Sequence, residues 1–232
     1  LTANRNKRSV ALNLKETKGL EILKKLVLEA DVFLQNFRPG VADRMGIGEE
    51  ILRTINPRLI YVSISGFGEQ GPYSNKRVYD PIIQALSGLA DIQRDRKSNR
   101  PHMVRLIVPD NLTAMTSAQA ITAALLARER TGKGQHVRLS MIDAMISFLW
   151  TEGMAGYTFR GKGVDGERVT LSQDLIFETT DGYISTGAVS DSEWQGLVRV
   201  LEKPEWLDGP RFQTPSSRMA NAEARLALMA KV

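Results

Sequence analysis

Strands and helices alternate through the first two thirds of this chain, and no other feature constrains its fold as strongly. Such alternation specifies an α/β fold, a sheet with helices packed on it. Ser9-Val10-Ala11-Leu12 is a short strand candidate. An amphipathic stretch from Thr17 to Glu29 follows, with Leu20, Leu23, Leu26 and Val27 at helical spacing. Residues 31–34 read as a buried strand leading into Asn36-Phe37-Arg38-Pro39-Gly40. A helix over 49–54 is stopped by Asn56-Pro57, since the residue before a proline is kept out of helical conformation. Leu59-Ile60-Tyr61-Val62-Ser63-Ile64 is the clearest strand of all.

Asp110 opens a long alanine-rich helix, which ends at Thr131-Gly132-Lys133-Gly134-Gln135. Leu112, Met115, Ala118, Ile121 and Leu125 fall on one face, and Gly132 suits the left-handed residue past the helix end. After a strand over 136–139, Ser140 and Asp143 resemble a capping box for an apolar helix through Met145, Phe148 and Leu149. Composition changes around Arg160-Gly161-Lys162-Gly163, so residues 161–167 are the expected linker. Residues 1–160 then form a large domain and 168–232 part of a smaller α+β domain. That second part predicts a hairpin around Asp181-Gly182 and short helical segments near Trp194 and Trp206. The chain starts at Leu1 and stops inside a predicted helix over 222–232. It reads as an internal piece of a longer protein.

Composition removes several kinds of chemistry. The 232 residues include no cysteine, which excludes disulfides and thiolate nucleophiles, and only two histidines, His102 and His136. No apolar stretch reaches membrane-spanning length, so no membrane partner is expected. The expected compartment is cytoplasmic, or an organelle matrix in a eukaryote. A net charge of +5 favours polyanionic partners. The basic residues are dispersed and lack the aromatic interleaving of single-strand binders, so a phosphorylated small molecule is favoured over nucleic acid.

Three loops are candidate sites. Gly66-Phe67-Gly68-Glu69-Gln70-Gly71 fits G-x-G-x-x-G after a strand, yet Pro72-Tyr73-Ser74-Asn75 is turn chemistry where a dinucleotide site needs a helix. Asn36-Phe37-Arg38, with Arg44 nearby, offers an amide, a ring and two guanidiniums suited to phosphate. Lys76-Arg77-Val78-Tyr79 is either a solvated basic loop or a phosphate and base contact. Asp110 is either an ordinary N-cap or a carboxylate presented to a ligand at the positive end of its helix.

The order of these motifs resembles the family III CoA-transferases, the CaiB/BaiF group. The likeness is carried by Asn4-Arg5-Asn6-Lys7-Arg8-Ser9, Ala30-Asp31-Val32, Asn36 to Gly40 and Asn56-Pro57-Arg58-Leu59-Ile60. It continues through Ser65-Gly66-Phe67-Gly68, Gly71-Pro72-Tyr73, Tyr79-Asp80-Pro81, Asp110 and Thr131 to Gln135. The resemblance implies a Rossmann-like large domain that binds coenzyme A, completed by a smaller domain in an interlocked homodimer. It places CoA contacts at Leu12, Asn13, Leu14 and Lys15, at Asn36, Phe37, Arg38 and Arg44, and at Lys76, Arg77, Val78 and Tyr79. Asp110 falls at the family's nucleophile. No clear counterpart of the glycine-rich flap is found, and Gly161-Lys162-Gly163 is a weak substitute.

The implied reaction moves CoA from an acyl-CoA to a carboxylic acid through an aspartyl-CoA thioester, with no tightly bound cofactor and no metal. A racemase on the same fold would use a histidine where this chain has Tyr79. With a reference pKa of about 10, a tyrosine is a poor base near neutral pH. A non-catalytic CoA-binding homologue is the third reading.

Overall fold

The structure is a computed structural model that describes residues 2–95, 98–151 and 174–232. The chain divides into two compact units, Leu1–Val169 and Thr170–Val232. The expected linker at 161–167, with its glycines, lies outside the described residues.

The first unit is built on three parallel strands in the order β1 (Val32–Gln35), β2 (Ile60–Ser65), β3 (His136–Ser140). Helix α1 (Thr17–Glu29) precedes β1, and α2 (Val41–Arg44) and α3 (Glu49–Ile55) connect β1 to β2. Helices α4 (Asp80–Leu86), α5 (Leu89–Ile92) and α6 (Val108–Thr131) connect β2 to β3, and α7 (Met141–Leu149) follows. The first half of β2, Ile60-Tyr61-Val62, is apolar without alternation because both its faces are covered, as parallel sheets require. Leu59 and Tyr61 pack with Val27, Ala42, Ile47 and Leu52 from the α1–α3 side. Ile60 and Val62 pack with Ala124 of α6 on the other.

The ends of the helices fix their direction. The Asn56 amide donates to the carbonyls of Val27 and Ala30 at 2.9 and 3.0 Å, tying the end of α1 to the entry of β2. The start of α1 therefore lies toward the opposite, C-terminal edge of the sheet. Helix α6 is pinned the same way, since Arg128 reaches the Arg58 carbonyl at 3.3 Å and the Asp31 carboxylate at 2.8 Å. It ends on Gly132, whose φ of 72° and N–H bond to the Arg128 carbonyl (2.7 Å) give the predicted left-handed stop. Its 24 residues span about 36 Å at helical rise, whereas the six residues of β2 cover about 20 Å. The first turn of α6, with Asp110, therefore overshoots the C-terminal edge of the sheet.

Several expectations change. Residues 9–12 form no strand, because no described strand lies beside them to make a ladder. Asp110 is not the N-cap of α6. That position is Ile107, and Asp110 is the third helical residue behind Pro109. The expected apolar face of α6 is only partly the one used: Leu112, Ile121 and Leu125 pack against the core, but Met115 is 72 % exposed and the fully buried positions are Thr113, Ser117, Ala124 and Arg128. An alanine-rich helix carries too little apolar contrast to choose a face. The hydroxyls can be buried because they bond back to helix carbonyls, Thr113 to Pro109 at 2.6 Å and Ser117 to Thr113 at 2.7 Å. Ser140 caps α7 as expected, accepting the Asp143 N–H at 3.1 Å.

The second unit opens with the predicted hairpin, β4 (Ile176–Glu178) antiparallel to β5 (Tyr183–Ser185). Helix α8 (Asp191–Val200) starts on a full Ser190/Glu193 capping box. It buries Trp194 against Trp206 and Phe212, with ring centroids 6.2 and 5.8 Å away. Helices α9 (Pro215–Ala220) and α10 (Ala222–Met229) follow, and the last helix closes before Val232. The Arg218 guanidinium, 1 % exposed, crosses this core to Asp191 at 2.7 Å and the Phe212 carbonyl at 3.1 Å.

Candidate active site

The loops leaving the three strands converge at the C-terminal edge of the sheet, where ligands bind in open α/β folds. Beyond β2 the chain turns at Gly68 and Gly71, both at positive φ, and no helix starts until Asp80. The glycine-rich loop is a turn, and a dinucleotide fingerprint is ruled out. Gly66 has a different task. A Cβ there would lie 2.1 Å from Val78 Cγ1, so the 76–79 loop folds directly over the end of β2. Gly66→Ala should displace that loop, destabilising the fold by about 1–3 kcal/mol as overpacking does. Faster amide hydrogen exchange over 76–79 than elsewhere in the unit would register the displacement, and unchanged exchange there would refute it.

Asp110 sits close to this loop. Val78, Phe67, Val108 and Leu112 share one apolar cluster with Ile83, Leu89, Met145 and Leu149. The backbone N–H of Asp110 donates to Asp80 Oδ2 at 3.3 Å. Asp80 thus supplies, from α4, the cap that Asp110 was expected to supply itself. This leaves the Asp110 side chain exposed at the positive end of a long helix. Desolvation, and then the Asp80 carboxylate, raise the Asp110 pKa above the ordinary carboxylate range.

On the α1–α3 side, a cleft of about 50 Å³ is lined by Phe37, Arg38, Gly40, Glu49, Ser65, Glu69 and His136. A wider, open depression of about 590 Å³ continues past Phe67, Gly68, Gln70, Arg138 and Asp143 and shares Glu69 with it. The second has the size of a small-molecule site, whereas the first admits only a fragment of one. Beneath the cleft lies a polar row that sequence reading missed. Gln35 donates to Ser63 Oγ at 3.1 Å, and Ser63 Oγ meets His136 Nε2 at 2.7 Å. His136 Nδ1 lies 3.9 Å from Glu49 Oε2. That trio has the composition of a nucleophilic triad, but 3.9 Å is beyond hydrogen-bond reach and Ser63 is 7 % exposed. Burial, then Arg138, push the His136 pKa down and keep the ring neutral. The row braces the strands, and the Ser63–His136 pairing depends on parallel register, which spacing does not reveal.

The residues assigned by resemblance distribute as follows. Phe37 and Arg38 line the cleft, and the Arg44 guanidinium lies against Gly40 at its rim. Asn36 is exposed beside them. Lys76 rests over the Tyr73 ring, 3.5 Å from its centroid, and Tyr79 is 73 % exposed. Asn13 packs its backbone on Gly19 at the start of α1, Leu14 joins the α1–α3 core, and Lys15 is exposed. Leu12 is half-buried just before them. The 76–79 loop and Asp110 are thus joined through Asp80 and one apolar cluster, while the Asn36–Arg44 group belongs to the cleft on the other side of the sheet.

The profile of the family described as CoA-transferase family III matches residues 1–232. The chain belongs to CoA-transferase family III. An acetyl-CoA:oxalate CoA-transferase from Acetobacter aceti is 36% identical over 98% of this chain and 59% of its own length. A human succinyl-CoA:glutarate CoA-transferase is 31% identical over 100% of this chain and 53% of its own. Among solved structures, a CaiB/BaiF family protein from Brucella suis superposes with a TM-score of 0.77 at 34% identity, covering 97% of this chain and 60% of that one. A hypothetical protein from Mycobacterium tuberculosis gives a TM-score of 0.84 at 29% identity, covering 97% and 61%. The chain therefore spans about half the length of the curated family III relatives it matches.

Proposed function

We propose that the protein is an acyl-CoA:carboxylate CoA-transferase with Asp110 as its covalent nucleophile. The observation that carries this reading is the exposed Asp110 carboxylate, on a helix start whose backbone is already capped by Asp80. An Asp110 oxygen attacks the thioester carbonyl, the C–S bond breaks, and a mixed anhydride forms with release of CoA thiolate. The thiolate then attacks the Asp110 carbonyl, expelling the donor carboxylate and leaving an aspartyl-CoA thioester. An acceptor carboxylate reverses both steps, so protons and electrons balance without a cofactor. Arg38, Arg44, Lys76 and Arg77 hold the nucleotide phosphates, and Phe37, Tyr79 and residues 12–15 complete the CoA contacts. Holding CoA at its distant end keeps the thiolate in place between the two exchanges.

We place this unit in a Rossmann-like large domain and the second unit in the smaller domain of a homodimer. Exposed Met115 and Leu126 along α6, 72 % and 56 % accessible, support a covered surface in the assembled protein. No described helix is long and apolar enough to cross a membrane.

The test is a mass-spectrometric screen of the full-length protein with mixed acyl-CoAs and dicarboxylates. New thioesters, and a CoA adduct on the peptide carrying Asp110, are the expected result. CoA binding by calorimetry without any exchange would establish the non-catalytic reading, and α-deuterium wash-in without exchange would establish a racemase. The raised Asp110 pKa gives a further expectation. Only the carboxylate attacks, so activity falls as pH drops through that pKa. The acid limb of kcat/KM should lie above the titration range of a free aspartate, near 3.9. A limb at or below that range would contradict the assignment.

A further inference from the structure

We propose that Gln84 is a positioning residue for Asp110, holding Asp80 and the segment 104–106 so that the first turn of α6 presents one orientation to the substrate. This rests on Asp110 being the nucleophile.

Gln84 is 3 % exposed, one turn after Asp80 on α4. Its Nε2 lies 2.7 Å from Asp80 Oδ1, 3.2 Å from the Val104 carbonyl and 3.1 Å from the Leu106 carbonyl. Its Oε1 accepts the Val104 N–H at 3.0 Å. Two amide hydrogens are thus shared among three acceptors, and the amide oxygen is also engaged. The other Asp80 oxygen accepts the Asp110 N–H. One continuous set of hydrogen bonds therefore runs from Val104 and Leu106 through Gln84 and Asp80 to the backbone of Asp110.

The segment needs such a clamp. Residues 101–107 have no regular secondary structure, and Leu106 and Ile107 are 69 % and 55 % exposed. Val104 and Val108 reach the apolar cluster, but Leu106 and Ile107 between them do not, so polar contacts decide the path of the chain into α6. Asp80 is itself 5 % exposed, and burying a carboxylate is costly unless its lone pairs are satisfied. Gln84 satisfies one of its oxygens. A neutral cap would serve the helix equally well, whereas a carboxylate beside Asp110 also makes it a stronger base and nucleophile.

Gln84→Met keeps the length of the side chain and removes its hydrogen bonds. Asp80→Asn keeps the shape of the cap and removes its charge. In the full-length protein each should lower kcat by about 10- to 100-fold, the scale of a misplaced reacting group, with KM for acyl-CoA within about threefold. The double variant should lose less than the product of the single losses, because both act through one network. Asp80→Asn should also move the acid limb of kcat/KM to lower pH, which a purely structural role would not do. If Gln84→Met fails to fold, the kcat, KM and pH profile of Asp80→Asn read out the same network. A kcat within twofold in both variants, or parallel changes in kcat and KM, overturns the proposal. Asp110→Asn separates the two levels. If that variant is dead while the Gln84 and Asp80 variants are normal, only the positioning role fails. If it is active, the nucleophile assignment fails and this inference with it.

Discussion

Replacing Asp110 with asparagine is expected to reduce CoA exchange by at least about 10³-fold, the scale seen when a covalent nucleophile is removed, without loss of fold stability. Asparagine has the same shape and keeps the backbone N–H that Asp80 accepts. Its amide oxygen cannot form the mixed anhydride, so chemistry stops while CoA binding remains. The stability half follows from the raised pKa of Asp110. A carboxyl with a raised folded pKa binds its proton more tightly in the folded chain than in the unfolded one. Its favourable contribution is present below the unfolded pKa and is lost as pH rises through the folded pKa. At neutral pH the ionised side chain therefore opposes folding, and asparagine removes that opposition. Single-turnover exchange, CoA calorimetry and thermal unfolding of the same variant check all three statements. Turnover within tenfold of the parent would refute the nucleophile. Loss of activity together with a fall in Tm would show that the Asp110 charge also stabilises the start of α6 through the helix dipole, against the stability half of the expectation.

What could be read from the chain depended on whether a signal was local. The start and end of α1 and the position of β2 were legible because apolar spacing and Asn56-Pro57 act within a few residues. The hairpin at Asp181-Gly182 was legible for the same reason. The burial of Thr113 and Ser117 on α6 was not. Thr113 and Ser117 look like solvent-facing residues until their bonds to Pro109 and Thr113 are seen. Asp110 was readable as a helix-start carboxylate, but its cap comes from Asp80, thirty residues earlier. Asp80 followed by Pro81, with Gln84 at i+4, signals only the first turn of α4. Nothing in that spacing shows Gln84 reaching across to Val104. Ser63 and His136 become neighbours only through parallel pairing of β2 with β3. Tertiary partners of buried polar groups are the part that sequence pattern does not carry.

Gly134→Ala should damage the first unit far more than Gly132→Ala, although both add one methyl to the same short motif. Thr131-Gly132-Lys133-Gly134-Gln135 helped to carry the family resemblance, and its two glycines answer to different physics. Gly132 is required for its φ of 72°, and a Cβ there would meet nothing within 4 Å. Gly132→Ala should therefore cost about 1–2 kcal/mol, the strain of a left-handed alanine. Gly134 is required for space. A Cβ there would lie 2.1 Å from the Leu59 carbonyl oxygen and 2.6 Å from the Arg58 carbonyl carbon. Those are backbone atoms at the entry to β2, and they cannot swing aside as a side chain would. Retreat of residue 134 would also strain its N–H bond to Pro57 (2.9 Å), its carbonyl bond from Arg53 (3.0 Å) and the adjoining Tyr61 to Gln135 bond (3.0 Å). Overpacking of about 1–3 kcal/mol, with about 1 kcal/mol for each of the three bonds if lost, gives a loss of about 4–6 kcal/mol. That is a large share of the 5–15 kcal/mol by which a domain is usually stable. Urea unfolding of the two variants side by side decides the matter. If Gly134→Ala is no worse than Gly132→Ala, the chain does not approach β2 as closely as described. The motif would then be a helix stop and nothing more. If the difference holds, the motif sets how β3 enters the sheet, and through β3 the position of the rim that Arg138 and Asp143 share with Glu69.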